Sequence, residues 1–155
     1  MLDSPDITSR VEEILEAHRG VEGAFLPILH AIQASFGHVP EQALLQVAKE
    51  LTMSKAEAWG AMTFYHDFRQ APPGRHVVKL CRSESCQARG AEALHRHARE
   101  SLGVEWKETT GDGRVTLEPV YCLGLCACGP SMMVDGEVVA RVDEARFDQI
   151  VKGLD

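Results

Sequence analysis

The sequence predicts an α+β chain: a helical bundle over residues 1–71, followed by a thioredoxin-like α/β domain over residues 75–155. Three observations carry that prediction. Apolar residues recur at helical spacing through the first 70 residues, whereas Gln70-Ala71-Pro72-Pro73-Gly74 interrupts every regular pattern. Beyond it, short β-branched runs alternate with helical stretches. The 155 residues are 45% hydrophobic and 25% charged, an ordinary globular balance for one compact domain with a substantial appendage.

In the first part, Ser9 and Glu12 have the spacing of a capping box, ahead of Val11, Ile14 and Leu15 and a stop at Gly20. Pro27 suits a second helix start, with Ile28, Leu29, Ile32 and Phe36 as its stripe and Gly37 as its stop. Pro40 opens a third helix with Leu44, Val47, Ala48 and Leu51 facing inward. Ser54 and Glu57 form a second capping box, ahead of Trp59, Met62 and Phe64 in a fourth. Packing accounts for these stripes, and no catalytic constellation accompanies them. His66 and Asp67 read as an interface or capping pair, with no nucleophile or pocket beside them.

In the second part, His76-Val77-Val78-Lys79-Leu80 predicts a strand running into Cys81. Residues 87–102 predict a helix with Ala91, Leu94 and Ala98 on its apolar side, and His95 and His97 read as solvated. Residues 104–107 and 115–120 predict two strands around Gly111-Asp112-Gly113. Asp135-Gly136 predicts a hairpin between 132–134 and 138–140, and Asp143 caps a last helix carrying Phe147, Ile150 and Val151. Strand, helix, strands, helix in that order fits a small α/β sandwich of the thioredoxin type.

Composition excludes several function classes. Lys plus Arg total 16 against 23 Asp plus Glu, a formal charge of −7, which argues against nucleic acid and anionic lipid as partners. No apolar run approaches the roughly 20 residues of a membrane span. The acidic, amphipathic N-terminus has no signal-peptide apolar core, so a cytoplasmic location is expected. No G-x-G-x-x-G follows a strand and there is no P-loop, so a nucleotide, if used, belongs to a partner.

The five cysteines, Cys81, Cys86, Cys122, Cys126 and Cys128, all fall in the second part. In a reducing compartment such a cluster points to metal or redox chemistry rather than to disulfides. The pattern C-x4-C, then C-x3-C, places both pairs on loops leaving strand ends. Two thiolates on one iron at about 2.3 Å lie roughly 3.8 Å apart, a separation that loops of this length can close. Three chemistries remain open on spacing. A disulfide oxidoreductase wants C-x-x-C, which is absent, and structural zinc usually takes C-x2-C knuckles. The wider spacings favour the bulkier core of a four-cysteine [2Fe–2S] cluster.

The stretches LCRSESCQARGAEAL and EPVYCLGLCACGPSMMVDGEV closely resemble the thioredoxin-like [2Fe–2S] ferredoxin family. That family includes the small [2Fe–2S] subunit of respiratory complex I, its relatives in NAD-reducing hydrogenases, and the gamma subunit of NAD-dependent formate dehydrogenase. The resemblance extends upstream through LPILHAIQASFGHVPEQALLQVAKELTMSKAEAWGAMTFYHDF, similar to the helical domain of the subunit forms. Within the family, TFYHDFR, HVVKLCRSESC and CLGLCACGP look most like the formate dehydrogenase gamma subunit.

The resemblance implies a [2Fe–2S] cluster on Cys81, Cys86, Cys122 and Cys126. Cys128 departs from many members of the family, and because reaching from it would bulge out Cys126 and Ala127, it reads as a small packed thiol near the cluster. It implies a non-catalytic electron-transfer subunit next to a flavin- and NAD-binding subunit, and a molybdenum-containing formate-oxidising subunit as a further partner. The equivalent subunit of an NADH:quinone oxidoreductase or NAD-reducing hydrogenase is the alternative within the family. A zinc-binding assembly subunit is the alternative outside it.

Overall fold

A computed structural model describes residues 4–155; residues 1–3 of the expected helical domain lie outside the described residues. The chain divides between Pro72 and Pro73 into two compact units.

The first unit contains α1 (Ser4–Ala17), α2 (Phe25–Phe36), α3 (Glu41–Glu50) and α4 (Lys55–Phe64). Its core is apolar and its own: Val11, Ile28, Leu29, Ile32, Leu44 and Val47 are almost fully buried. Two expected boundaries move. α1 begins at Ser4, with Pro5 in its first turn, so Ser9 lies inside the helix rather than at its cap. α2 begins at Phe25, which places Pro27 within the first turn. Gly37 ends α2 at φ 76°, where its N–H reaches the Gln33 carbonyl at 2.7 Å. The Ser54–Glu57 box is complete: the Glu57 N–H donates to Ser54 Oγ, and the Ser54 N–H donates to Glu57 Oε2 at 2.8 Å.

Of the stripe expected on α4, only Met62 is buried, and Trp59 is 37% exposed. Ala58 and Met62, four residues apart, are buried, whereas Phe64 is 74% exposed. At about 100° per residue, Phe64 stands about 200° around the helix from Met62, away from the core.

The second unit contains β1 (His76–Cys81), α5 (Glu84–Ala88), α6 (Ala91–Leu102), β2 (Val115–Val120), β3 (Ser131–Val134), β4 (Glu137–Ala140) and α7 (Glu144–Lys152). The sheet order is β2-β1-β3-β4, with β1 parallel to β2 and antiparallel to β3. Val78, Leu80, Leu117 and Met132 meet Leu94, Ala98 and Phe147 in one core. Asp135 (φ 50°) and Gly136 (φ 95°) make the β3–β4 turn, and the Asp135 carboxylate accepts the Val77 N–H at 2.8 Å. Asp143 caps α7 by accepting the Arg146 N–H.

Two expectations are corrected in this unit. The helix expected over 87–102 is two helices, because Gly90 takes φ 88° between them, and the first begins earlier at Glu84. Residues 104–107 are not a strand. Lys107 sits at φ 69°, which breaks an extended run, and only Thr109 bridges to Thr116. The apolar Val104 and Trp106, whose alternation suggested a strand, pack against the core from an irregular segment.

Each unit has its own core, and the division falls beside two prolines. Expressed alone, residues 75–155 are therefore expected to give a soluble, folded fragment that takes up iron and sulfide and becomes coloured. Circular dichroism and the visible spectrum after reconstitution check this. An aggregated, colourless product refutes it.

Candidate metal centre

The parallel β1–β2 pair places the cysteine loops. Cys81 is opposite Val120, and the Arg82 N–H extends the ladder to the Val120 carbonyl at 2.7 Å. Cys122 follows two residues later. Parallel strands release their chains at the same end, so both loops emerge side by side.

The first loop carries two buried thiols. Cys81 closes β1 and is 2% exposed; Cys86 sits on the short helix α5 and is 1% exposed. Cys81 Sγ lies 3.2 Å from Ser83 Oγ, and Cys86 Sγ lies 3.7 Å from Ser131 Oγ. Burial pushes the Cys81 thiol up. The Ser83 hydroxyl and N–H, the Cys86 side chain and the Leu123 N–H outweigh that by hydrogen bonding, and hold it below the ordinary thiol range. Such an environment favours the thiolate, the form that binds metal.

The second loop turns at Gly124, in the left-handed region at φ 75°, and the Gly124 N–H points to Cys122 Sγ at 3.4 Å. Residues Cys126–Cys128 form one turn of 3-10 helix, anchored where the Cys128 carbonyl accepts the Arg141 N–H at 2.8 Å. Cys122 and Cys126 are exposed and Cys128 is half-buried. The loops touch at three places. Leu123 packs with Cys81 and Cys86, Ser85 Oγ donates to the Cys126 carbonyl at 3.4 Å, and Gly129 passes against Cys86.

Cys81 and Cys86 are thus brought together as a buried, hydrogen-bonded pair, while Cys122 and Cys126 stand on the abutting loop with exposed side chains. Among the described residues no three His, Cys, Asp or Glu groups converge tightly enough to hold a metal ion. The donor set still suits an iron–sulfur core. It offers soft thiols from two loops, no competing carboxylate or imidazole contact to Cys81 Sγ, and a glycine where a side chain would crowd Cys86.

The helix α6 departs from the sequence reading. His95 is not solvated: it is 2% exposed, and its Nε2 donates to the Cys81 carbonyl at 3.1 Å. The signal was present, because His95 follows Ala91 by four residues and precedes Ala98 by three, on the same buried stripe. Burial holds its pKa below the ordinary range, against the opposing pull of the Cys81 carbonyl and Glu92. His97 is half-buried and pairs with Asp148 at 2.7 Å, which ties α6 to α7. In the first unit His66 is exposed, and the Asp67 carbonyl accepts an N–H of Gln33 at 2.8 Å, a bond within the bundle.

Residues 11–155 match the family described as thioredoxin-like [2Fe-2S] ferredoxin. The chain belongs to that family. The fold of the second unit is accordingly thioredoxin-like, and the family's cofactor is a [2Fe–2S] cluster. An NADH-quinone oxidoreductase subunit of Rhizobium meliloti is 37% identical over 131 residues, covering 84% of this chain and 78% of the relative. An NADH-quinone oxidoreductase subunit of Pseudomonas aeruginosa is 32% identical over 147 residues, covering 95% and 87%. Among solved structures, an NAD+-reducing [NiFe]-hydrogenase in the H2-reduced state superposes with a TM-score of 0.69 at 25% identity. That match covers 83% of this chain but only 22% of the hydrogenase chain. None of these three is a formate dehydrogenase. Among the described residues no helix is long and apolar enough to cross a membrane.

A Cβ on Gly129 would stand 3.1 Å from Cys86 Sγ and 3.2 Å from Arg89 Cδ. Gly129→Ala is therefore expected to leave the helix content unchanged and to weaken cluster retention, roughly tenfold on the scale of other changes around metal ligands. Iron and sulfide per chain, measured after reconstitution and chelator challenge, give the answer.

Proposed function

We propose that this chain is the electron-transfer subunit of an NAD-linked multisubunit oxidoreductase, with Cys81, Cys86, Cys122 and Cys126 holding its [2Fe–2S] cluster. The observation that carries the reading is the parallel register of Cys81 with Val120, which sets a C-x4-C loop beside a C-x3-C loop. When bound, the cluster supplies one-electron storage and transfer. The chain's own residues shape its environment: Ser83 and the Leu123 N–H bond to Cys81, and Ser131 lies beside Cys86. Hydrogen bonds to cluster sulfurs are among the recognised determinants of potential.

Substrate chemistry falls to partners. With no dinucleotide fingerprint or P-loop in the sequence, NAD belongs to a flavin- and NAD-binding subunit. The two NADH-quinone oxidoreductase relatives, whose matches span both units of this chain, support a complex of that type, and the hydrogenase likeness supports a related NAD-reducing assembly. The motifs TFYHDFR and CLGLCACGP, with Cys128 two residues past Cys126, carry a second reading. That reading is the gamma subunit of a cytoplasmic NAD-dependent formate dehydrogenase, beside a molybdenum-containing formate-oxidising subunit.

Affinity purification from the native host is expected to recover a flavin- and NAD-binding subunit. Recovery of quinone-reductase or hydrogenase subunits beside it selects the first reading; a molybdenum-containing formate oxidiser selects the second. A preparation that is colourless and contains zinc rejects both.

The ligand set has its own test. The Cys122–Cys126 loop is short and hinged at Gly124, whereas the Cys128 carbonyl is tied to Arg141. Cys128→Ser is expected to keep a [2Fe–2S] absorption and EPR spectrum, and Cys126→Ser to lose most of its iron. The double variant excludes replacement of one thiol by the other. A normal cluster in Cys126→Ser with loss in Cys128→Ser reverses the assignment.

A further inference from the structure

His95 lies on the face of α6 that also carries Ala91, Leu94 and Ala98, so an apolar side chain would complete that stripe. An imidazole stands there instead. Its Nε2 is 3.1 Å from the Cys81 carbonyl oxygen, and a carbonyl only accepts, so Nε2 carries the proton. The other nitrogen, Nδ1, is buried with no hydrogen-bond partner, and the Glu92 carboxylate stands 3.7 Å away. Leaving Nδ1 unpaired is unfavourable, and packing alone gives no reason for it. The ring meets Trp106 edge to face, with centroids 5.5 Å apart, and the Arg82 guanidinium lies 5.2 Å from the Trp106 ring centroid. The His95 ring, bonded to the Cys81 carbonyl, therefore also packs against Trp106, whose ring the Arg82 guanidinium overlies. The β1–β3 ladder ends one residue before Cys81, at Leu80 and Met132, so the sheet holds the peptide that follows Cys81 on the β2 side only.

We propose that His95 is a positioning residue for the [2Fe–2S] cluster: its Nε2–H holds the Cys81 carbonyl, fixes the point where β1 gives way to the first cysteine loop, and favours the reduced cluster. Hydrogen-bonding partners behind a metal ligand orient it and tune the metal, and His95 is such a partner to the Cys81 backbone. The direction follows from charge. Reduction adds an electron, and the Nε2–H offsets the partial negative charge of the carbonyl oxygen on Cys81 itself; without that donor the uncompensated carbonyl disfavours the added charge. The inference rests on Cys81 being a cluster ligand.

The test uses the full chain, reconstituted with iron and sulfide, in three variants. His95→Phe keeps the ring volume and removes the donor, and His95→Gln keeps an N–H donor on a side chain of similar reach. Cys81→Ser tests the ligand reading itself. EPR-monitored redox titration at one pH, with iron content, is the readout. In His95→Phe the reduced-to-oxidised ratio at the wild-type midpoint is expected to fall tenfold or more, about 59 mV to the negative for a one-electron couple. His95→Gln is expected to stay within threefold of wild type. Loss of the cluster in His95→Phe alone also supports the role, because His95→Gln retains the donor. A His95→Phe potential equal to wild type overturns it, as does a His95→Gln variant shifted or depleted as far as His95→Phe. A normal cluster in Cys81→Ser overturns the ligand reading and this inference with it. Disruption in Cys81→Ser beside an unmoved His95→Phe removes only the role of His95.

Discussion

The parallel pairing of β1 with β2 is the constraint on which the site depends. Both strands are six residues long. At about 3.3 Å per residue, an antiparallel pair would separate the Cys81 and Cys122 loops by roughly 17–20 Å, beyond any shared inorganic core. Parallel pairing needs a long crossover, and α5 and α6 supply it. The crossover does more than connect. Its first helix carries Cys86, and its second carries the imidazole that reaches back to the Cys81 carbonyl. One topological choice therefore places the first thiol pair, its hydrogen-bonding environment and the second loop together.

Within that frame the thiols divide by burial. Cys81 and Cys86 are inside, where an unpaired thiolate would be strongly disfavoured, and hydrogen bonds to Cys81 offset its desolvation. Cys122 and Cys126 lie outside on a glycine-hinged loop. Gly129 leaves the space beside Cys86 that any side chain would fill. The first loop is thus held by the core, and the second by a few backbone bonds and the packing of Leu123.

The helical unit contributes no such chemistry. Its apolar residues form their own core, Ser54 and Glu57 cap α4, and Phe64 at the end of α4 and Tyr65 just beyond it are exposed. Both units fall within the match to the curated relatives, so the helical unit is a shared part of those chains rather than an addition peculiar to this one.

Much of this was legible in the residues alone. The helical stripes, the Ser54–Glu57 box, the Asp135-Gly136 turn and the Asp143 cap all rest on local rules, in which a side chain and its partner lie within a few residues of each other. The two cysteine pairs were legible for the same reason, since spacing within a loop is a local property. Residues 104–107 misled because apolar alternation reports burial on one side and not backbone conformation, and Lys107 adopts a left-handed φ. His95 was misread although its place in the α6 stripe was visible, because a charged helix makes a histidine look solvated. Residue order is enough for the two-part α+β organisation and for the spacing of the two cysteine pairs. It takes the folded chain to bring the two loops out together, to bury one thiol pair and expose the other, and to stand an imidazole behind Cys81. Those facts depend on contacts between residues 14 to 45 positions apart, and no local pattern encodes them.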